Sequence, residues 1–283
     1  NFAFQLNWVK RKDIMTGKKV LYVSSEVIPY LPNNDISTLT YNLPKVVNKN
    51  GGQTRIFIPK YGLINERRHQ LHEVIRLSGM NLIIDDLDMP LIIKVASIPK
   101  ERMQVYFIDN EEYFKNRLLD SDKKKKLYKD NDERAIFFAK GVVETIKKLN
   151  WSPDIIHVHG WIASLMPLYL KEYYKDEPLF ANSKVVTSIY ENEIEGELNN
   201  EIVKKIKFDE VENESMKILE DATYENLYKI SIMNSDGVIF AGEKIKESYL
   251  NVAKTLKIPT LHCGFKDGFE KEYVEFYNEK ILK

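Results

Sequence analysis

The chain has 283 residues, 43% of them hydrophobic, and its 42 Lys and Arg balance its 42 Asp and Glu to a formal net charge of zero. Electroneutrality removes the basic footprint expected of a nucleic-acid or anionic-membrane binder, and no apolar run reaches the roughly 18 residues of a membrane span. A single cysteine, Cys263, excludes an intrachain disulfide and points to a reduced, cytoplasmic compartment.

Residues 1–18 read as an N-terminal extension. Its aromatics and its Lys10-Arg11-Lys12 cluster suggest a membrane-surface segment, but Asn7 and Asp13 interrupt the pattern, and Met15 is a candidate native start. Beyond it, short β-branched runs alternate with segments of helical period, the mark of β and α units on a parallel sheet. Strands are expected at Val20–Ser24, Thr54–Pro59, Leu91–Ser97, Gln104–Ile108, Ile155–Val158, Lys184–Ile189 and Gly237–Ala241. The clearest helix is Asp132–Leu149, in which Ala135, Ala139, Val142, Ile146 and Leu149 follow the helical period and Asp130 or Asn131 caps the start. Further helices are expected at Thr38–Asn50, Ile162–Tyr174, Met216–Asn234, Lys244–Lys257 and Glu270–Leu282. Lys123-Lys-Lys-Lys126 reads as a solvated run, and the acidic stretch Glu191–Glu214 as a mobile surface excursion. The expected fold is α/β: a Rossmann-like, doubly wound, mostly parallel sheet over residues 19–258, followed by a tail helix in 259–283.

Several residues are marked by chemistry alone. His157 and His159 are assigned to opposite faces of a strand end, one in a cleft and one in the core, and no further ligand stands at metal-binding spacing. No metal site is expected, and no cofactor. Glu26 ends the first strand as a lone carboxylate, and Trp161 follows the fifth, where it can stack on a ligand or plug the sheet end. Gly242-Glu-Lys244 is a weak phosphate-loop candidate, having no Gly-x-Gly-x-x-Gly pattern. Cys263 reads as structural.

Five segments carry a family resemblance: Val20-Leu-Tyr-Val-Ser-Ser-Glu26-Val-Ile-Pro29-Tyr30, Arg55-Ile-Phe-Ile-Pro59-Lys60-Tyr61-Gly62, Val105-Tyr-Phe-Ile-Asp109-Asn110, Tyr128-Lys-Asp130-Asn131-Asp-Glu-Arg134 and Pro153-Asp-Ile-Ile-His157-Val-His159-Gly160-Trp161. In order and spacing they resemble the N-terminal, starch synthase catalytic domain of the bacterial glycogen and starch synthases. These are retaining GT-B glycosyltransferases that move glucose from ADP-glucose or UDP-glucose to an α-1,4-glucan. The resemblance implies His159 as the catalytic candidate. It also implies a ligand set of Glu26, Tyr30, Asp109, Asn110, Asp130, Asn131, Trp161 and Tyr190.

The departures fall on ligand residues. Where the family has a lysine and a glycine pair, this chain has Pro32, Asn34 and Asp35; the Asp after the second histidine is Gly160; Thr-Ile-His-Asn appears as Ser188-Ile189-Tyr190-Glu191; and a loop aspartate is Thr38. The segment reads as a short one-domain form without the C-terminal donor domain. The expected function is that of a non-catalytic or regulatory relative binding a glucan, an oligosaccharide or a protein partner. The alternatives are a glycosyltransferase with its donor domain supplied in trans, and a structural subunit using a former interdomain face.

Overall fold

The computed structural model describes residues 14–99, 101, 103–265 and 268–283, so most of the expected N-terminal extension, with its membrane-surface alternative, lies outside the described residues. The strands are β1 (Lys19–Ser24), β2 (Gln53–Pro59), β3 (His72–Glu73), β4 (Met80–Ile84), β5 (Leu87–Ile98), β6 (Met103–Asp109), β7 (Ile155–His159), β8 (Lys184–Tyr190), β9 (Gly237–Ala241) and β10 (Thr260–His262). They form one sheet in the order β10-β9-β8-β7-β1-β2-β6-β5-β3, with β4 paired to β5. From β10 to β6 all neighbours run parallel. β5 is antiparallel to β6, and β3 and β4 are antiparallel to β5. This is the expected α/β fold.

The parallel strands are buried almost throughout because helices cover both faces of the sheet. The helices are α1 (Asp35–Lys49), α2 (Glu66–His69), α3 (Asn131–Leu149), α4 (Met166–Lys171), α5 (Ile202–Phe208), α6 (Tyr224–Met233), α7 (Glu247–Leu256) and α8 (Phe269–Phe276). α1 and α8 pack together on one face, where a Cβ on Gly237 would come within 2.4 Å of Ile281 and 3.2 Å of Phe276. On the opposite face α3 presses Gly141 onto Ile108 and Leu91, at 3.1 Å from where its own Cβ would stand. α1 begins with a capping box: Asn34 Oδ1 accepts from the Ser37 N–H at 2.8 Å, and Ser37 Oγ from the Asn34 N–H at 2.9 Å. Such a cap is worth about 1 kcal/mol.

The structure revises several expectations. The acidic stretch from Glu191 contains helix α5, which buries Ile202 and Ile206 and sets the Lys205 ammonium 2.8 Å from Asp132 and 2.6 Å from Glu133. Apolar residues at i and i+4 were a sufficient signal there, hidden by the surrounding charge. The long helix expected at Met216–Asn234 is a 3-10 segment, Glu214–Glu220, and a separate α6, capped by Thr223. The helix expected at Ile162–Tyr174 contracts to α4 behind a 3-10 turn. Residues 259–283 contribute a strand, β10, at the sheet edge as well as α8.

Candidate functional site

β1 lies between β2 and β7: the chain winds one way through β2 and β6, and the later strands go the other way. In open α/β sheets the crevice at the carboxyl ends of such a switch point is where ligands bind. Ser24 to Glu26 form one side of it, and His159 to Trp161 the other.

On the β1 side the loop's polar groups are turned inward. Glu26 is buried and accepts a 2.8 Å hydrogen bond from Asn34 Nδ2, the same residue that caps α1. Burial pushes its carboxyl up to about 7, aided by the nearby Asp120 charge and opposed by the Asn34 bond. Residues 31–38 hold no Lys or Arg, and Asp35 opens α1 with a carboxylate.

On the β7 side the two histidines lie together. Their ring centroids are 3.9 Å apart, which corrects the assignment to opposite faces: residues two apart on a strand share a face. His157 Nε2 meets Ser188 Oγ at 2.8 Å, and its Nδ1 bonds the hydroxyl of Tyr277, beyond α8. His159 Nδ1 meets the Tyr190 hydroxyl at 2.8 Å, and its ring stacks on Tyr22 at 6.1 Å. Both imidazoles are fully enclosed. Burial holds the His159 pKa down to about 3 and that of His157 well below its ordinary value, so both are neutral. No group of three or more metal-ligating side chains occurs among the described residues.

Gly160 follows in a left-handed conformation, φ 78°. A Cβ there would stand 2.4 Å from Ser25 Oγ. Trp161 is buried, edge-on to Tyr224 at 5.8 Å and with the Arg134 guanidinium 5.6 Å from its ring. It plugs the sheet end.

The remaining sequence candidates divide. Asp109 ends β6, buried and ion-paired to Lys94 at 2.8 Å. Tyr30 packs edge-on to Phe107 at 4.9 Å and against His69 at 5.0 Å. Asn110 caps the following turn, accepting from the N–H groups of Glu112 and Tyr113 at 3.0 Å and donating to the Pro90 carbonyl. Asp130 is bound by Arg117 at 3.0 Å and makes no side-chain cap bond to α3. Asn131 donates to Asp120 O at 2.7 Å and to the Tyr224 hydroxyl at 2.6 Å, and accepts from Arg134 at 2.6 Å. The polar capacity of these last three residues is engaged in holding the loops.

Ser25 Oγ, Tyr30 Oη, Tyr61 Oη, Asp109 Oδ1, His159 Nε2 and Trp161 Nε1 are buried and make no hydrogen bond within the protein. All six lie at or just beyond the carboxyl ends of β1, β2, β6 and β7. Buried polar atoms are ordinarily satisfied, so their concentration at one end of the sheet marks a polar interior suited to hydroxyl-bearing ligands or water. Tyr61, Ser25 and Arg134 were not singled out by sequence reasoning, although all three stand inside the matching segments. The weak phosphate-loop candidate is occupied from within: Glu191 Oε1 accepts from the N–H of Lys244 at 2.8 Å and from that of Glu243.

Comparison with known proteins agrees with this architecture. A family model described as starch synthase catalytic domain matches residues 19–251. The glycogen synthase of Chlorobium luteolum is 37% identical over 223 residues, covering 77% of this chain and 44% of the relative. That of Chlorobium phaeobacteroides is 40% identical over 198 residues, covering 68% and 40%. The catalytic domain of starch synthase IV from Arabidopsis thaliana, solved bound to ADP and acarbose, matches 91% of this chain and 53% of that one with a TM-score of 0.72 at 16% identity, a likeness of fold. The chain spans less than half the length of these curated relatives. The match over residues 19–251 makes the chain a member of the starch synthase catalytic domain family.

Proposed function

We propose that this protein is a non-catalytic or regulatory relative of the glycogen and starch synthases, binding a glucan or oligosaccharide at the β1/β7 crevice without transferring glucose there. The observation that carries this reading is the enclosure of His159 under the Tyr190 hydroxyl. Transfer from a nucleotide sugar requires the departing diphosphate charge to be neutralised by preorganised donors or cations, and residues 31–38 supply no cation. The unpaired hydroxyls of Ser25, Tyr30 and Tyr61 and the unpaired Oδ1 of Asp109 at the strand ends suit neutral sugar hydroxyls. The starch synthase IV neighbour was solved with acarbose, in keeping with a saccharide ligand.

The purified protein should transfer no glucose from ADP-glucose or UDP-glucose to glycogen beyond a His159→Ala control. Turnover clearly above that control would overturn the non-catalytic reading. Malto-oligosaccharides should perturb Trp161 fluorescence, with the response lost in Trp161→Phe; a silent titration would remove the glucan role and favour a structural subunit. A second reading, glucosyl transfer with donor-binding residues supplied by another polypeptide, is favoured by the unpartnered Nε2 of His159. Its signature is activity that appears only on adding a co-purifying chain and vanishes in His159→Ala.

A further inference from the structure

At the amino ends of the strands, the end of the sheet opposite the crevice, a cavity of about 290 Å³ opens between β7, β8, α4 and the 3-10 turn Pro178–Phe180. It shares no residue with the crevice. Its apolar wall is made by Ile156, Pro167, Leu170, Tyr174, Phe180 and Val185, all of them buried. The elements that carry them account for the opening. Ile156 and Val185 are partners in the β7/β8 register, so their side chains stand together on one face of the sheet. α4, only 6 residues long, ends at Lys171, and the Pro178–Phe180 turn closes over them in place of a further helical turn.

The serine, asparagine and aspartate side chains bordering the cavity are committed to the protein. Ser183 Oγ donates to the Pro153 carbonyl at 2.6 Å, Ser235 Oγ to that of Ser231 at 2.8 Å, and Asn234 Nδ2 to that of Ile230 at 2.9 Å and to Ser215 Oγ at 3.0 Å. Asp236 accepts from the Val185 N–H at 2.9 Å and pairs with the Lys184 ammonium at 3.3 Å. Lys171 and Lys175, which also border the cavity, differ. Both are exposed, and neither ammonium makes an ion pair or hydrogen bond among the described residues. The acidic residues beside them in sequence offer no match: Glu172 is engaged by Asn213, Glu177 by Lys147 at 3.4 Å, and Asp176 does not border the cavity. The mouth therefore carries two uncompensated positive charges, in a chain of zero net charge.

These features select the occupant. An apolar wall whose neighbouring polar groups are already satisfied leaves the donors of a hydroxyl-rich ligand buried without acceptors, which is costly. Two free ammonium groups on flexible stems favour a negative charge held at the water's edge. The volume equals that of about ten water-sized groups, close to the size of an eight-carbon carboxylate. We propose that this cavity is a binding site for an amphipathic organic anion, its apolar body against Ile156, Leu170, Phe180 and Val185 and its carboxylate between Lys171 and Lys175. It gives the protein a second class of ligand and does not depend on the crevice reading.

The test is a titration of the isotope-labelled full chain with octanoate, followed by nuclear magnetic resonance at the backbone amides of Leu170, Ala181 and Val185. These signals should shift with a dissociation constant on the order of 0.5 mM. 1-Octanol, which has the tail without the charge, and inorganic phosphate, which has the charge without the tail, should each bind about tenfold more weakly or not at all. The double variant Lys171→Gln with Lys175→Gln, at exposed positions where folding is not at stake, should lose about tenfold in octanoate affinity. No shift at these amides up to about 10 mM octanoate, equal binding of 1-octanol or of phosphate, or an affinity unchanged in the double variant would overturn the proposal.

Discussion

The Tyr190 hydroxyl lies 2.8 Å from Nδ1 of His159, across the β7/β8 boundary, and the imidazole has no exposed surface. Desolvation keeps the phenol protonated far above its ordinary range and the imidazole neutral. The pair is therefore an uncharged buried hydrogen bond. Removing the hydroxyl in Tyr190→Phe leaves a buried ring nitrogen without its partner, which should cost about 1–3 kcal/mol in urea unfolding. A change below about 0.5 kcal/mol would show that the bond contributes nothing to the fold.

The histidines and Glu26 impose opposite pH dependences. His157 and His159 are held neutral by burial, with folded values below the ordinary 6.5 and that of His159 at about 3. As pH falls below 6.5 the unfolded chain takes up protons that the folded one does not, and stability drops. Glu26 has a folded value of about 7 against an ordinary 4.5, so between these limits the folded state holds a proton that the unfolded state has lost. Its contribution to stability therefore declines as pH rises through that window. Glu26→Gln should gain stability relative to the parent on going from about pH 5 to about pH 8 in urea midpoints, whereas a difference that stays constant with pH would refute the assignment.

Gly160 stands where the family motif carries an aspartate, and the backbone explains why restoration should fail. Its φ of 78° strains any side chain, and the new Cβ would meet Ser25 Oγ at 2.4 Å. Gly160→Asp should destabilise by about 1–3 kcal/mol. Adding Ser25→Gly should return part of that loss, since it relieves the contact though not the backbone strain. A Gly160→Asp protein that melts like the parent would mean that this turn readjusts freely.

The C-terminal segment closes one face of the sheet. Phe269, Tyr273, Val274, Phe276, Tyr277 and Ile281 are buried, and the Tyr277 hydroxyl reaches His157 in β7. Truncation after Gly268 should lower the melting temperature by roughly 10 °C or more, or render the protein insoluble. If the truncated form fails to fold, Tyr277→Phe isolates the His157 bond, with an expected loss of about 1–3 kcal/mol. An intact melting temperature after truncation would show that this helix does not hold the fold.

The mostly apolar runs of β1, β7, β8 and β9 were enough to place the central strands within a residue or two, because a strand buried on both faces is written largely in apolar letters, with polar ones such as His157, His159 and Ser188 only where a buried partner meets them. The matching segments around Glu26, His159 and Arg134 were enough to point to the family and to the end of the sheet where a ligand site belongs. Strands as short as β3 and β10, of 2 and 3 residues, leave no periodic signal; neighbours across the sheet determine them. Local spacing was also no guide to what each site residue touches. Tyr277 meets His157 from 120 residues away, Asn131 meets Tyr224 from 93, and Lys140 meets Asp209 from 69. Composition and period report how much apolar surface each element must bury; the partner of a buried polar group is decided only when the assembled chain leaves it no water to bind.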